Sequence, residues 1–252
     1  MFSSQSYSYP EAKPQTFSSS SEGLRESIRV NFIRKVFSIV SGQLLFTAAF
    51  SYLSMNSKAI AHFQATHPGI LSLAAIVTLI TSLALSFSNT LSRKVPTNYI
   101  VLSLFTLAES YTISAITGNI DPSLVYTAFF LTGAAVGVLA IYAMTTKTEI
   151  TYFGGLIGLI GLGMLGILFL SLFGNFKFIQ MLSLVGSSIL VGLYFIYDIK
   201  AIMGKDHIRV SLDDYIRGAM TLYIDIIQIF IKILQILMSQ QEKEEERRKK
   251  KK

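Results

Sequence analysis

Long apolar stretches constrain the fold of this chain more than any other feature of its sequence. A helix needs about 20 mostly apolar residues to cross a bilayer, because each residue adds about 1.5 Å across a hydrocarbon core of about 30 Å. Six stretches meet this requirement, so the sequence predicts an all-α integral membrane protein. The six predicted spans are Phe32–Leu53, Ile70–Leu91, Tyr99–Thr117, Leu124–Met144, Phe153–Phe173 and Phe178–Ile199.

A seventh stretch, Tyr215–Met238, has the length of a span but carries more polar side chains than the other six. Counting it predicts a seven-transmembrane-helix bundle, and its polar residues favour a central position for this last helix, away from lipid. We therefore divide the chain into three parts. These are a disordered Ser- and Tyr-rich head at residues 1–27, a transmembrane domain at residues 28–239 and a flexible charged tail at residues 240–252.

The composition excludes several classes of function. Only 15% of the 252 residues are charged, against roughly 25% in soluble domains. Seven of the 22 lysines and arginines lie in residues 243–252, mixed with glutamates, so this charge belongs to a tail and we expect membrane lipid as a partner and no nucleic acid. The chain has no cysteine, which leaves no basis for a disulfide or a thiolate site. Its three histidines lack ligand spacing, so we expect no metal site built from them. No catalytic or phosphate-binding motif is present, and we expect no cofactor.

The distribution of lysine and arginine predicts the orientation in the membrane. One side of the predicted bundle collects 12 of these residues in short flanks, whereas the other side has Lys58 and Lys177. The positive-inside rule then places the N-terminus in the cytosol. Seven spans would put the basic tail on the far side, so two interpretations stay open. Either the last segment re-enters and returns to the cytosol, or the tail is translocated despite its charge.

Three carboxylates lie inside the predicted spans: Glu109 in the third, Asp198 in the sixth and Asp225 in the seventh. Such groups cost about 2.5–3.5 kcal/mol each on insertion scales, and those that remain usually face the bundle interior or a water-filled path. A purely structural interpretation is that a proton or a neighbouring hydroxyl, such as that of Tyr197 or Tyr223, neutralises each carboxylate. Helix spacing favours a functional interpretation instead.

Polar residues recur along one face of the seventh predicted helix, where their separations are 7, 4, 3, 4 and 3 residues. This polar stripe should line the bundle interior as a hydrated path. If Asp198 meets Asp225 there, the two carboxyls would share a proton, sense pH and coordinate calcium transiently through oxygen. The stripe consists of Asp214, Thr221, Asp225, Gln228, Lys232 and Gln235. We predict a pH sensor and gate at Asp198 and Asp225, and an ion path along Asp214, Thr221, Gln228, Lys232 and Glu109.

Ordered motifs run through nearly the whole chain, from residue 28 to residue 238. They begin with the segment 28–39 before the first span, and continue through Pro96-Thr97-Asn98-Tyr99, Phe105-Thr106-Leu107-Ala108-Glu109, Thr127-Ala128-Phe129, Thr146-Lys147-Thr148-Glu149-Ile150-Thr151, Tyr197-Asp198, Asp214-Tyr215 and Leu222-Tyr223-Ile224-Asp225-Ile226-Ile227. In this order the motifs resemble the transmembrane BAX inhibitor motif family, most closely its lifeguard or Golgi anti-apoptotic branch.

That resemblance implies a seven-helix fold with the last helix central. It also implies a calcium leak from internal stores, in the Golgi or endoplasmic reticulum, that is coupled to suppression of cell death. Family members use a paired-aspartate pH sensor at the positions that match Asp198 and Asp225. Partners in the cell-death or calcium-release machinery follow from the same resemblance.

Two features depart from the family. The second span, Ile70–Leu91, contains no arginine, whereas some bacterial relatives hold a latch arginine there against the aspartate pair. The basic end of the tail is more similar to the BAX inhibitor branch than to a lifeguard terminus.

Three functions are compatible with these residues. The first is a pH-sensitive cation leak pathway, with calcium as the favoured ion and Asp214 at the cytosolic mouth. The second is a membrane regulator of cell death that binds other proteins and conducts no ions. The third and most remote is an intramembrane aspartyl protease, for which Leu222-Tyr223-Ile224-Asp225 lacks the expected Gly-x-Gly-Asp pattern. We therefore expect that the protein is not an enzyme.

Overall fold

The computed structural model describes residues 15–146, 160–161, 177–204 and 210–251. Eight helices with defined ends lie within these ranges, which contain no strand. They are α1 (Gln15–Asn56), α2 (Lys58–Thr66), α3 (Pro68–Phe87), α4 (Asn89–Arg93), α5 (Thr97–Thr117), α6 (Pro122–Thr145), α7 (Lys177–Met203) and α8 (Tyr215–Lys249).

Six of these described helices, namely α1, α3, α5, α6, α7 and α8, are long and apolar enough to cross a membrane, with mean hydropathies of 1.5 to 2.3. The chain is therefore a multi-pass membrane protein built from helices, as predicted. The six helices correspond to the first four, the sixth and the seventh predicted spans. The fifth, Phe153–Phe173, lies outside the described residues except for Ile160 and Gly161.

The second predicted span ends earlier than hydropathy indicates. α3 stops at Phe87, and Ser88 adopts an extended conformation with φ −101° and ψ 109°. The Ser88 hydroxyl accepts a hydrogen bond from the Leu91 amide at 3.3 Å and so caps the short helix α4. Serine is a preferred N-cap because its oxygen satisfies an amide at the helix start, a property that hydropathy does not measure.

Both terminal helices extend into segments that the sequence assigns to the head and tail. α1 begins at Gln15, and α8 continues to Lys249. The extension of α8 has glutamates at positions 242 and 244–246, followed by Arg247, Arg248 and Lys249. Acidic residues four positions before basic ones stabilise a helix, and basic residues in its last turn complement the helix dipole.

The helix ends define two opposite faces of the bundle. At the N-face, Arg29 of α1 donates hydrogen bonds to the carbonyl oxygens of Ala201 (2.7 Å), in the last turn of α7, and of Val210 (2.8 Å), which follows α7 in the chain. At the C-face, the turn between α5 and α6, residues 119–121, lines a cavity together with Glu242 and Glu245 of α8. α8 begins beside α4 at the N-face and therefore crosses the whole bundle.

The apolar side of α8 supplies many buried core residues, and the helix packs against α1, α3, α4, α5, α6 and α7. Ile216, Leu222 and Tyr223 of α8 are completely buried. The Tyr223 ring meets Phe105 of α5 edge to face, with 5.7 Å between the ring centroids. Close packing of this kind holds membrane helices together, because lipid offers no hydrophobic driving force for their association.

Candidate functional site

Asp198 and Asp225, the predicted pair, lie on the neighbouring helices α7 and α8. Their carboxyl groups face each other within hydrogen-bonding reach, although the residues are 27 positions apart in the chain. Two carboxyls can hydrogen-bond to each other only when one of them carries a proton, because an ionised carboxylate has no donor. The close packing of α7 on α8 therefore creates a place for a shared proton.

One oxygen of this pair stands out. Asp225 Oδ2 is buried and has no hydrogen-bond partner among the described residues. A buried acceptor without a partner is costly, and more so inside a membrane, so it favours uptake of a proton, a water molecule or a cation. This oxygen distinguishes the pair from a structural contact whose hydrogen bonds are all made.

The same pair fits a passing cation better than a resident one. The described residues contain no group of three or more His, Asp or Glu side chains that could hold a metal ion. Calcium takes six to eight oxygen ligands, and two carboxyl groups supply at most four. The remaining ligands would have to be water or backbone oxygens, which suits brief contact with a hydrated ion.

Asp214, the first residue of the polar stripe, lies at the N-face and is buried. Arg93 of α4 donates two hydrogen bonds to its carboxylate, from Nε at 2.8 Å and from a terminal nitrogen at 2.7 Å, and Arg217 lies 3.5 Å away. The bond from Arg93, together with the charges of both arginines, lowers the pKa of Asp214, against the opposite effect of burial. Asp214 is thus held as a carboxylate, and the same contact raises the pKa of Arg93.

The rest of the stripe follows an edge of α8 and not its buried side, which differs from the expectation of an interior position. Thr221 and Lys232 are half-buried, and the Thr221 hydroxyl bonds back to the Arg217 and Gly218 carbonyls. Gln228 and Gln235 are exposed. The physical reason is the larger apolar side of the same helix, which takes the core position.

Glu109 belongs to a different neighbourhood. It is half-buried in α5 and lies near Thr78 of α3, whose buried hydroxyl has no hydrogen bond of good geometry among the described residues. The close packing of α3 on α5 explains this position. Glu109 is not part of the Asp198–Asp225 pair.

Sequence reasoning missed a column of buried polar side chains between α1 and α5. Thr47 Oγ1 lies 2.8 Å from both Ser110 Oγ and the Tyr223 hydroxyl, and Gln43 Nε2 donates to Thr106 Oγ1 at 2.8 Å. The signal was present in the spacing, since both helices carry polar residues at intervals of four, four and three. The members of this polar column are Gln43, Thr47, Ser51 and Ser54 of α1, Thr106, Ser110, Ser114 and Thr117 of α5, Gln64 of α2 and Tyr223 of α8.

Comparison with known proteins agrees with the ordered motifs. The family model described as inhibitor of apoptosis-promoting Bax1 matches residues 29–242. Protein lifeguard 4 of Mus musculus is 35% identical, with 83% of this chain and 85% of the relative covered.

Two further relatives have similar coverage of this chain. The Golgi anti-apoptotic protein of Vaccinia virus (strain Lister) is 31% identical over 83% of this chain and 86% of its own length. Protein lifeguard 3 of Homo sapiens is 30% identical over 83% of this chain and 69% of its own length. The chain therefore belongs to the family of inhibitors of apoptosis-promoting Bax1, together with the lifeguard proteins.

Proposed function

We propose that this protein is a pH-sensitive calcium leak channel of internal membranes that modulates stored calcium and opposes apoptosis. The observation that carries the proposal is the Asp198–Asp225 pair, with its unpartnered buried oxygen on Asp225. When the pair holds a proton, the two helices are bridged and the site carries one negative charge at most. When the proton leaves, two adjacent carboxylates repel each other and attract a divalent cation.

The ion path in this proposal runs along the half-buried edge of α8. Asp214 lies at its N-face entrance, the aspartate pair forms the gate, and Thr221, Gln228 and Lys232 continue along the same helix. Glu109 is assigned to the path only as an indirect contributor of negative charge, because it lies on α5 beside α3.

We also propose that the bundle has seven spans with α8 at its centre. α6 begins at the C-face and, at 24 residues, is long enough to reach the N-face. α7 ends at the N-face beside Arg29, so it begins at the C-face. In this proposal the remaining span of the seven lies between Thr145 and Lys177, where Phe153–Phe173 is the apolar stretch that the sequence predicts to cross. Contacts of α8 with six other described helices support the central position.

The proposed orientation has the N-face in the cytosol, as the lysine and arginine distribution predicts. Since α8 reaches the C-face, the charged tail then lies on the opposite, lumenal side, which favours a translocated tail over a re-entrant last segment. We propose a location in the Golgi or the endoplasmic reticulum, of which the Golgi is supported by the name of the viral relative, Golgi anti-apoptotic protein. We propose no catalytic activity, since the residues before Asp225 lack the protease pattern.

Calcium efflux from liposomes containing the purified protein tests the proposal. We expect efflux that depends on pH, and loss of that dependence when Asp198→Asn and Asp225→Asn are combined. Asp121→Asn is the matched control, because this exposed residue caps α6 at the C-face and asparagine caps equally well. Absence of calcium efflux at every pH would reject the channel.

The same double variant separates conduction from regulation by protein binding. In cells under a death stimulus, a conducting mechanism predicts that protection is lost together with efflux. If protection persists while efflux is abolished, the protein acts by binding partners in the cell-death or calcium-release machinery, and the aspartates serve the leak alone.

A further inference from the structure

The polar column consists of three hydrogen-bonded rungs spaced along α1 and α5. The first rung is Gln43–Thr106, and the second joins Thr47 and Ser110 to Tyr223. In the third, Ser54 Oγ donates to Gln64 Oε1 at 2.6 Å and Gln64 Nε2 donates to Ser114 Oγ at 2.9 Å. All of these residues are at least nine-tenths buried.

The spacing of the rungs along α5 suits a single bridging water molecule between neighbouring rungs. On α5, successive rungs are four residues apart, which is about 6 Å along a helix. Two hydrogen bonds in sequence span about 5.6 Å, so a single water between rungs would join them. Two buried oxygens without a partner among the described residues, Gln43 Oε1 and Ser51 Oγ, lie at the first rung and between the second and the third.

Gln64 closes the column at the C-face. It is the buried residue of α2, while its neighbours Phe63 and Ala65 are exposed, so α2 lies on the surface with this one side chain turned inward. Beside it, a Cβ atom built on Gly118 would lie 2.6 Å from Ser54 Oγ, which shows how closely the ends of α1 and α5 approach each other. The amide of Gln64 fills the remaining space between them.

We propose that the polar column is an internal water-binding site, in which water molecules join the rungs and Gln64 acts as the plug that separates them from the C-face. The site lies on the opposite side of α8 from the Asp198–Asp225 pair and does not depend on calcium conduction. Its ligand is water, since unpartnered oxygens inside a membrane need a hydrogen-bond partner and the rungs contain no carboxylate, imidazole or amine that would bind an ion.

Thiol accessibility tests the plug, because the natural chain has no cysteine. Ser110→Cys, in the full chain in liposomes permeable to a small methanethiosulfonate reagent, should react slowly. Adding Gln64→Ala should accelerate this reaction roughly tenfold, since it removes the two bonds, to Ser54 and Ser114, that hold the plug. Ala108→Cys, which is buried on α5 outside the column, should keep its rate. Fast reaction with Gln64 in place, or no acceleration without it, overturns the plug.

Radiolytic hydroxyl labelling tests the water without opening the column. Tyr223 is completely buried, yet bound water next to it should generate label on its ring. Gln43→Leu combined with Ser51→Ala removes both unpartnered oxygens and should reduce labelling of Tyr223 severalfold, while Tyr215 at the N-face stays unchanged. Equal labelling of Tyr223 in the wild type and the variant would show that the column is dry.

Discussion

Tyr223 and Asp225 lie two residues apart on α8, on opposite sides of the helix, and their environments differ in one decisive respect. The Tyr223 hydroxyl is bonded to Thr47, and its ring packs on Phe105 in the core. Asp225 is half-buried, its partner is another carboxyl, and one of its oxygens has no partner. Side chains whose bonds are all made fix one structure, whereas a group with an unmet bond can gain or lose a proton or an ion.

The largest expected effect lies on the Tyr223 side. Tyr223→Ala removes a completely buried ring from the junction of α1, α5 and α8 and should lower the free energy of unfolding by about 3–5 kcal/mol. Equilibrium unfolding of the variant and the wild type in mixed micelles measures this loss of free energy. Phe130→Ala is the control, since that side chain is 73% exposed and should lose little. Equal losses for both variants would contradict a tightly packed Tyr223 side.

Tyr223→Phe isolates the hydroxyl from the ring. The variant keeps the contact with Phe105 but leaves Thr47 with one partner fewer, so we expect a loss of about 1 kcal/mol in the free energy of unfolding. Tyr126→Phe, at a 41% exposed position, should change it by much less. A null effect at Tyr223 would mean that its hydrogen bond adds nothing to the fixed side of α8.

Asp214, at the start of α8, adds a third position to this comparison of Tyr223 with Asp225. Its pKa is lowered, chiefly by the hydrogen bond from Arg93. Such a carboxylate stabilises the fold above its ordinary pKa of about 3.9, and the contribution disappears as pH falls through the lowered value.

Arg93→Gln should therefore lower the melting temperature at pH 7 and at pH 5 by the same small amount. The difference from the wild type should shrink only when the pH falls below about 3.9. Lys94→Gln, at the exposed neighbouring position, is the control. If the melting-temperature difference between Arg93→Gln and the wild type already vanished between pH 7 and pH 5, Asp214 would titrate in that range. That result would contradict a carboxylate held ionised by Arg93.

The smallest effect on stability should come from Asp225 itself. Asp225→Asn keeps a hydrogen bond to Asp198 and removes the need for a shared proton, so the free energy of unfolding should change by less than about 1 kcal/mol. The same variant is expected to change the pH dependence of calcium efflux. A large loss of stability would instead mean that the pair is a structural element like Tyr223.

The sequence predicted the membrane helices because their signal is local and strong. The ends of α5 and α6 lie within two residues of the ends of the predicted spans. The end of α3 at Phe87 was missed because it depends on one serine cap, to which hydropathy is blind. Spacing and family resemblance together predicted that Asp198 and Asp225 meet.

Other features depend on contacts between distant segments. Arg93 and Asp214 are separated by 121 positions, and nothing local links them. The polar column consists of uncharged serine, threonine and glutamine, which also occur where the hydroxyl bonds its own helix, as Thr106 does to Leu102. The exposed position of Gln228 depends on the apolar side of α8, whose larger area decides which side of the helix faces the core.

The central claim is that Asp198 and Asp225 hold one proton between them, which a cation replaces. Infrared spectroscopy of the full chain in lipid, with isotope-labelled aspartate, detects a protonated carboxyl directly. We predict a protonated-carboxyl band at neutral pH that is lost when calcium is added, and that is absent when Asp198→Asn and Asp225→Asn are combined. A wild-type spectrum without that band at neutral pH, or a band that calcium does not change, would contradict it.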